Sequence, residues 1–557
     1  MKKYSWKAAV LTGVLVTAAA LSGCGKKEEA PVAAAPNADK GTAAGGEVAS
    51  PEGYFPLDKE INVIIAGVRE DGFVPFQDCE AFQNLEQQTN IKVKWLDWPQ
   101  SQQKEKRNLA FASGDLPDAL YGSWSLDKPD VVKYGSEGML LRLNDYLNED
   151  YMPNFTRILK ERPELVGALS TPEGDIYVLP TLNENDLPLT NDTLLINKEW
   201  LDKVGMDMPE TPDDLFEVLM AFKAAGDLNG NGKDDEIPLT FKFGENNSNI
   251  GMHSLMGFTG IVSNNIHTKM AMKDGVPVFA PATDEYKEYM LFLNKLFSNG
   301  LVDREAFTMD PPAYNAKVQT STPTAGVISS WSAEMVNRPI PGNDPLKEGT
   351  YVYMPPLKGK DGQQLWIRRA NALNANLSFA ISANTKYAEE LVRWIDLFYE
   401  KETSIENYLG KIGVHIKDEG DGKFSKIPNA DGKEFTNDEK SVLVPNKFAA
   451  AYILEGDAKF IDKVVSPQNK DAADAFYEPY LQKDYVNTYI MTTQEENEKL
   501  AFLTTDLISY VNQSTAKFIT EGGIEEGWDN YITQLNKLGL DEYVAIQTQI
   551  HNRANSQ

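Results

Sequence analysis

Apolar and polar positions alternate with two different periods along this chain. Ile61–Ala66 is a short apolar run of the kind that forms a buried strand. Over residues 76–89, Phe76, Cys79, Phe82 and Leu85 recur at the spacing of helical turns. Ile91, Val93 and Trp95 then alternate with Lys92 and Lys94, a strand pattern, and residues 101–113 again read as helix. Gly114-Asp115-Leu116-Pro117-Asp118 turns the chain into a further strand at Ala119-Leu120-Tyr121. A strand–helix–strand–helix–strand order predicts parallel strands joined by crossovers, hence an α/β layer.

A second module of the same type begins near residue 190. Leu194-Leu195-Ile196 reads as a strand, Asn197 as an N-cap, and 198–204 as a short helix stopped by Gly205. Thr211-Pro212-Asp213-Asp214 places a capping hydroxyl, a proline at the first helical position and an acid three residues on, which closes a capping box. Leu215, Val218, Leu219 and Phe222 follow on one helical face. Leu377–Ser382 reads as a strand and 386–401 as an amphipathic helix carrying Leu391, Val392, Ile395, Phe398 and Tyr399. The last hundred residues read as mostly helical, and no internal repeat is evident.

The first residues are organised differently. Lys2, Lys3 and Lys7 precede the mostly apolar run Ala8–Ala20, too short for an ordinary membrane span, and Leu21-Ser22-Gly23-Cys24 follows. That is a lipoprotein export signal over residues 1–23, with Cys24 as the lipidated residue. A diacylglyceryl group supplies the two hydrophobic chains that stable anchoring requires. Residues 24–56 are Ala, Gly, Pro, Lys and Glu with almost no aromatic, a composition that stays a flexible linker. The expected location is the extracellular face of the cell membrane. About 500 residues remain, enough for two cores, since single cores stop growing near ~250–300 residues.

The chain carries 54 Lys and Arg against 82 Asp and Glu, a formal charge of −28. Such a surface excludes nucleic acid as a partner, because phosphate neutralisation needs basic residues. Of the two cysteines, Cys24 is assigned to lipid, so no disulfide is expected, and Cys79 reads as a packing residue.

One loop stands out chemically. Asp227, Asn229, Asn231 and Asp235 occupy positions 1, 3, 5 and 9 of a segment with Gly232 at position 6. That is the spacing of an EF-hand calcium loop, in which position 7, here Lys233, offers its carbonyl. Pro238 stands where such loops place a bidentate glutamate, and Glu236 is the substitute. The competing reading is a solvated Asn-Gly turn. If Ca2+ binds, its role is structural.

Several stretches together resemble the family-1 extracellular solute-binding lipoproteins of ABC importers. They are Ala112-Ser113-Gly114-Asp115-Leu116-Pro117-Asp118, Gly174-Asp175-Ile176-Tyr177-Val178-Leu179-Pro180, Ile196-Asn197-Lys198-Glu199-Trp200-Leu201, Thr211–Leu215 and Asp235–Leu239. Lys517-Phe518-Ile519-Thr520 and Trp528-Asp529-Asn530-Tyr531 fit the closing helices. The chain is most similar to the long, calcium-containing alginate- and oligosaccharide-binding branch, and more distantly to maltodextrin-binding proteins. The resemblance implies an α/β, two-lobed, periplasmic-binding-protein-like (type II) fold with a hinge. Residues 57–185 and 377–450 would form the N-terminal lobe, and 186–376 with 451–557 the C-terminal lobe. It also implies a monomer that captures an oligosaccharide or other sugar and passes it to ABC permease subunits without altering it.

Ligands of open α/β sheets sit beyond the carboxyl ends of strands. That rule picks out Tyr121 and Trp124, then Asn183 and Asn185, then Ser330 and Trp331. The place of Trp331 resembles that of a sugar-stacking tryptophan in the maltodextrin-binding branch. Trp366, Arg368 and Arg369 form a further group; arginines that reach the ligand would favour an anionic sugar. Core packing is the competing reading for each tryptophan. An exported carbohydrate-active enzyme is the first rival. None of His253, His267, His415 and His551 falls in a metalloenzyme motif, and Cys79 lacks the setting of a nucleophile. The second rival keeps the fold but binds a peptide or presents a ligand to a sensor.

Overall fold

The computed structural model describes residues 54–556 except 124, 187–188, 191, 244–251, 264, 266, 334–335, 337–345, 348, 370–375, 446–448, 462–469 and 488–489. All of these lie in one compact unit of the chain, Gly45–Gln557. The export signal, Cys24, most of the linker and Trp124 therefore lie outside the described residues.

The strands, in chain order, are β1 (Ile61–Arg69), β2 (Ile91–Pro99), β3 (Ala119–Tyr121), β4 (Leu179–Asn183), β5 (Thr193–Asn197), β6 (Ile237–Thr240), β7 (Met270–Lys273) and β8 (Val276–Phe279). They continue with β9 (Ala325–Ser330), β10 (Tyr351–Tyr353), β11 (Asn376–Ile381), β12 (Ile416–Gly420), β13 (Lys423–Lys426), β14 (Ala451–Ile453) and β15 (Lys459–Phe460). Six of them make one sheet in the order β14-β4-β11-β3-β1-β2, and four make another in the order β10-β5-β9-β6. A three-stranded sheet β12-β13-β15 and the hairpin β7-β8 complete the set.

Each large sheet has its own hydrophobic core. Val63, Ile65, Leu120, Phe379 and Trp394 belong to the core of the six-stranded sheet. Leu195, Phe222, Ile328, Trp366 and Tyr477 belong to that of the four-stranded sheet. A smaller cluster around Ile405, Ile416 and Phe424 lies against the three-stranded sheet. The fold is thus a two-lobed α/β architecture of type II, as the sequence indicates.

Local sequence explains most elements. β1 is flanked by parallel neighbours, β2 and β3, and from Ile65 to Val68 every residue is buried, as suits a strand covered on both faces. The capping box at Thr211 forms with both reciprocal bonds, and the helix Pro212–Ala225 buries Leu215, Val218, Leu219 and Phe222. The helix expected over 76–89 is instead a short 3-10 turn, Phe76–Asp78, followed by the α-helix Glu80–Thr89. Cys79 is the extended residue between them, buried, and burial pushes its thiol up to about 11, which suits packing rather than reactivity.

The lobe boundary expected at residue 450 needs correction. β14, at Ala451–Ile453, pairs in parallel with β4, matching Ile453 to Asn183, so the first sheet keeps the chain beyond that boundary. The chain enters the other core by Ala473 and Tyr477.

Candidate functional site at the carboxyl ends of the strands

The two large sheets present corresponding ends to the chain crossings between them. In the first sheet β3, β4 and β14 run in one sense, with β11 antiparallel to β3 and β4. In the second, β6 and β9 run parallel and β5 opposes β9, with Thr193 opposite Ser330. The chain leaves the carboxyl end of β4 at Asn183 and enters β5 at Thr193, beside the carboxyl end of β9. It re-enters the first sheet at Asn376, opposite Thr181 near the carboxyl end of β4. The region beyond these ends is where such sheets hold ligands.

β3 reaches that region through a tight turn. Gly122 has φ of +98°, and a Cβ there would come within 2.4 Å of the Val68 carbonyl oxygen. Only glycine permits this close approach of backbone to backbone.

Tyr121, expected to meet ligand, does not reach this surface. It is fully buried, with Phe76, Phe82, Trp95, Phe379, Trp394 and Phe398 around its ring at centroid distances of 5.5–6.5 Å. β3 is central in its sheet and both its faces are covered, so every side chain of this three-residue strand is core.

Asn183 and Asn185 are committed to the crossing. The Asn183 Oδ1 accepts from the Asn185 backbone N–H and from its Nδ2, both at 3.1 Å. Asn185 also donates from Nδ2 to the Leu454 carbonyl at 3.1 Å and accepts from the Gly456 N–H at 3.0 Å. Between them, Glu184 accepts two bonds from Arg162 at 2.8 and 2.7 Å, one from the Tyr452 hydroxyl at 2.8 Å and one from the Glu455 N–H at 2.8 Å. Burial alone would raise the Glu184 carboxyl, but these donors outweigh it and hold it below its ordinary value. The same carboxylate pushes Tyr452, already raised by burial, further above the ordinary phenol range. The polar run 183–185 thus ties β4 to the segment after β14. Sequence alone offered no sign of this pairing.

Trp366 is also a core residue. It is fully buried, stacked on Tyr477 at 4.4 Å with planes 10° apart, and its Nε1–H donates to the Asp192 carbonyl at 3.0 Å. Its partners lie more than 100 residues away along the chain. Arg368 and Arg369 are half-buried; the Arg368 Nε donates to the Gln482 carbonyl at 3.1 Å, and the Arg369 backbone N–H donates to the Leu189 carbonyl at 2.8 Å. Ser330 closes β9, accepting at its carbonyl from the Thr193 hydroxyl at 2.7 Å and donating from its own hydroxyl to the Ser332 carbonyl at 3.0 Å. Trp331, the next residue, is half-buried.

A cavity of about 350 Å³ opens in the second lobe, which the sequence reading missed. Its walls include Phe241, Lys242 and Phe243 just past β6, His253, Tyr286 and Tyr289 from the helix Asp284–Ser298, and Thr504, Ser509 and Asn512 from the helix Gln494–Glu521. Its size falls in the range of small-molecule sites, and its wall mixes aromatic rings with amide and hydroxyl groups. The wall joins positions more than 260 residues apart in sequence, which periodicity does not reveal. Lys242 at the carboxyl end of β6 follows the same strand-end rule that picked out Ser330 and Trp331.

The loop 227–236 is knit together by bonds among its own polar groups. Glu236 Oε1 accepts from the Leu228 and Asn229 N–H groups at 2.6 and 3.1 Å, while Glu236 Oε2 is buried without a hydrogen-bond partner. Asp235 accepts from the Asn231 amide at 3.0 and 3.2 Å and from the Asn229 amide at 3.3 Å. The Asp227 carboxylate accepts from the Gly232 N–H at 3.0 Å, and the Asn231 Oδ1 from the Lys233 N–H at 2.8 Å. The loop's side chains thus bond to one another and to its own backbone, and the unsatisfied buried Glu236 oxygen fits a hard cation. Among the described residues no group of three or more His, Cys, Asp and Glu side chains converges as a metal site. The donor set here depends on amide and carbonyl oxygens as well.

Comparison with known proteins matches residues 77–404 to the model of the bacterial extracellular solute-binding proteins. The chain belongs to this family. The solute-binding protein is 32% identical over 491 residues to the fructooligosaccharide ABC transporter substrate-binding protein FusA of Streptococcus pneumoniae, covering 85% of this chain and 86% of that one. A solved structure of a FusA EF-hand mutant in complex with fructo-nystose superposes with a TM-score of 0.75 at 28% identity, over 89% of this chain and 100% of that one. A solute-binding protein from Bifidobacterium longum infantis, described as binding HMO and associated with an ABC transporter, gives a TM-score of 0.75 at 24% identity. It covers 89% of this solute-binding protein and 99% of that chain, and supports the fold. Among the described residues no helix is long and apolar enough to cross a membrane.

Proposed function

We propose that this solute-binding protein captures a carbohydrate, an oligosaccharide, on the outer face of the cell membrane and delivers it to an ABC permease. The observation that carries this reading is the near full-length relationship to FusA, named for fructooligosaccharide transport, together with strand ends of two lobes that face shared crossings. The ligand lies between the lobes, which shut around it by hinge motion, the behaviour of this class of binding protein. Trp331 supplies a flat apolar face for a sugar ring, and Ser330, Arg368 and Arg369 supply hydrogen bonds. The cavity past β6 forms the C-terminal lobe's share of the site. Its tyrosines, hydroxyls and amide suit a ring with an apolar face and a hydroxyl edge. The protein binds and releases the sugar unchanged.

Cys24 carries the lipid that tethers the body through the linker, in keeping with the residues Leu21-Ser22-Gly23-Cys24. Asp227, Asn229, Asn231, the Lys233 carbonyl, Asp235 and Glu236 hold a structural Ca2+; the buried, unpartnered Glu236 oxygen supports this. When bound, the ion supplies positive charge that lets the loop's oxygens crowd together. The EF-hand named in the FusA structure supports the same assignment.

Calorimetric titration with fructo-, galacto-, manno- and uronate oligosaccharides tests the reading, with small-angle scattering on the same samples. Saturable, stoichiometric binding with a smaller radius of gyration is expected, and Trp331→Ala should weaken it at least ~10-fold without moving the melting temperature. Cleavage of the oligosaccharide, or an unchanged radius at saturation, contradicts capture by closure.

A further inference from the structure

Lys242 lies two residues past the carboxyl end of β6, held there by the bond from the Phe243 N–H to the Ala306 carbonyl at 2.9 Å. Lys242 lines the cavity, and its ammonium sits 5.2 Å from the ring centroid of Tyr314. It makes no hydrogen bond or ion pair among the described residues. The nearby carboxylates of Asp303 and Glu305 are both taken by Lys317, each at 2.7 Å. Asp303 also accepts from the Thr240 hydroxyl at the end of β6. Burial lowers the Lys242 ammonium below its ordinary value, with no carboxylate compensating.

The rest of the wall has the same character. Acidic residues make up about one in seven of the chain, yet among the described residues none lines this cavity; Lys269, His253 and His267 do. A wall built only for neutral sugars profits from carboxylates, each of which accepts from two hydroxyls. This wall instead gathers hydrogen-bonding rings, hydroxyls and a second lysine, Lys269, about an ammonium that has no counterion among the described residues. In a protein of charge −28 that is a local exception to the global field.

We propose that Lys242 selects a saccharide bearing a negatively charged substituent, a carboxylate or a sulfate ester, and receives that group at the C-terminal lobe's end of the site. The inference rests on the carbohydrate reading above and names the class of sugar. The ligand's anionic group replaces lost hydration at the ammonium with a charge-assisted hydrogen bond, while its ring lies among the tyrosines.

The test uses the intact protein and size-matched probes: galactotriose against trigalacturonate and a monosulfated galactotriose, and mannotriose against trimannuronate. Calorimetry should give at least ~10-fold tighter binding for the acidic member of a pair. Lys242→Met should abolish that preference, and Lys242→Arg should keep it, with melting temperatures confirming that both variants fold. Preference for the carboxylates alone or the sulfate alone identifies the source of the charge. Neutral probes that bind as tightly as acidic ones, or a preference that survives Lys242→Met, overturn the role of Lys242 and leave carbohydrate capture standing. Binding of no saccharide by a folded protein overturns both.

Discussion

Glu184→Gln is the substitution that most directly probes how the end of β4 is tied to the segment after β14. The Glu184 carboxylate is a hub: Oε1 accepts from Arg162 Nε and the Tyr452 hydroxyl, and Oε2 from Arg162 Nη2 and the Glu455 N–H. Glutamine keeps one acceptor oxygen and turns the other side of the group into a donor, which faces two donors. Two charge-assisted bonds are lost, each worth about 1.5–3 kcal/mol. Part is recovered because the Arg162 side chain is 28% exposed and rehydrates, whereas Glu184 is only 9% exposed. A net cost of about 2 kcal/mol follows, and for a lobe of this size a melting shift of roughly 4–8 °C. Differential scanning calorimetry of the unliganded protein at neutral pH measures it.

The pH dependence gives a second handle on the same group. A carboxyl held below its ordinary value contributes stability that is present above the usual carboxylate range and is lost as pH falls through the lowered value. The gap between wild type and Glu184→Gln should therefore be full at neutral pH and close only in strong acid. Arg162→Met, alone and combined with Glu184→Gln, should show coupling, since removing the second partner of a broken pair costs little more. A melting shift within ~1 °C for Glu184→Gln, or additive single variants, would refute the hub.

Trp366→Ala should destabilise the second lobe by about 3–5 kcal/mol, the cost of a buried tryptophan replaced by a cavity; an unaltered melting temperature would return Trp366 to the ligand surface. Chelation with EGTA should lower the melting temperature and added CaCl2 restore it, and Asp235→Asn should remove the response; an inert response refutes the ion. His253, pushed down to about 3 by burial and then by Lys269 and His267, stays neutral in the folded protein while the unfolded imidazole protonates near ~6.5. Stability should fall as pH drops from that point towards 3, and His253→Gln should flatten this part of the stability–pH curve measured by denaturant titration.

Local sequence specified the opening strands and helices, the capped helices of the second module and the family. Those features are local: the capping box at Thr211, the apolar face Leu215–Phe222 and the oxygen spacing of 227–236 each depend on neighbours within a few residues. What tertiary structure alone decided is which polar and aromatic groups are free to meet a ligand. Tyr121 and Trp366 have the composition of a sugar platform, but one sits in a strand covered on both faces and the other stacks on Tyr477. Asn185 has the chemistry of a hydroxyl partner, yet Leu454 and Gly456 occupy its amide. Lys242 carries no motif, and only the distant wall assembled around it makes its charge significant. Periodicity reports which face of an element is buried, whereas a ligand site is defined by what remains uncovered after distant segments have packed.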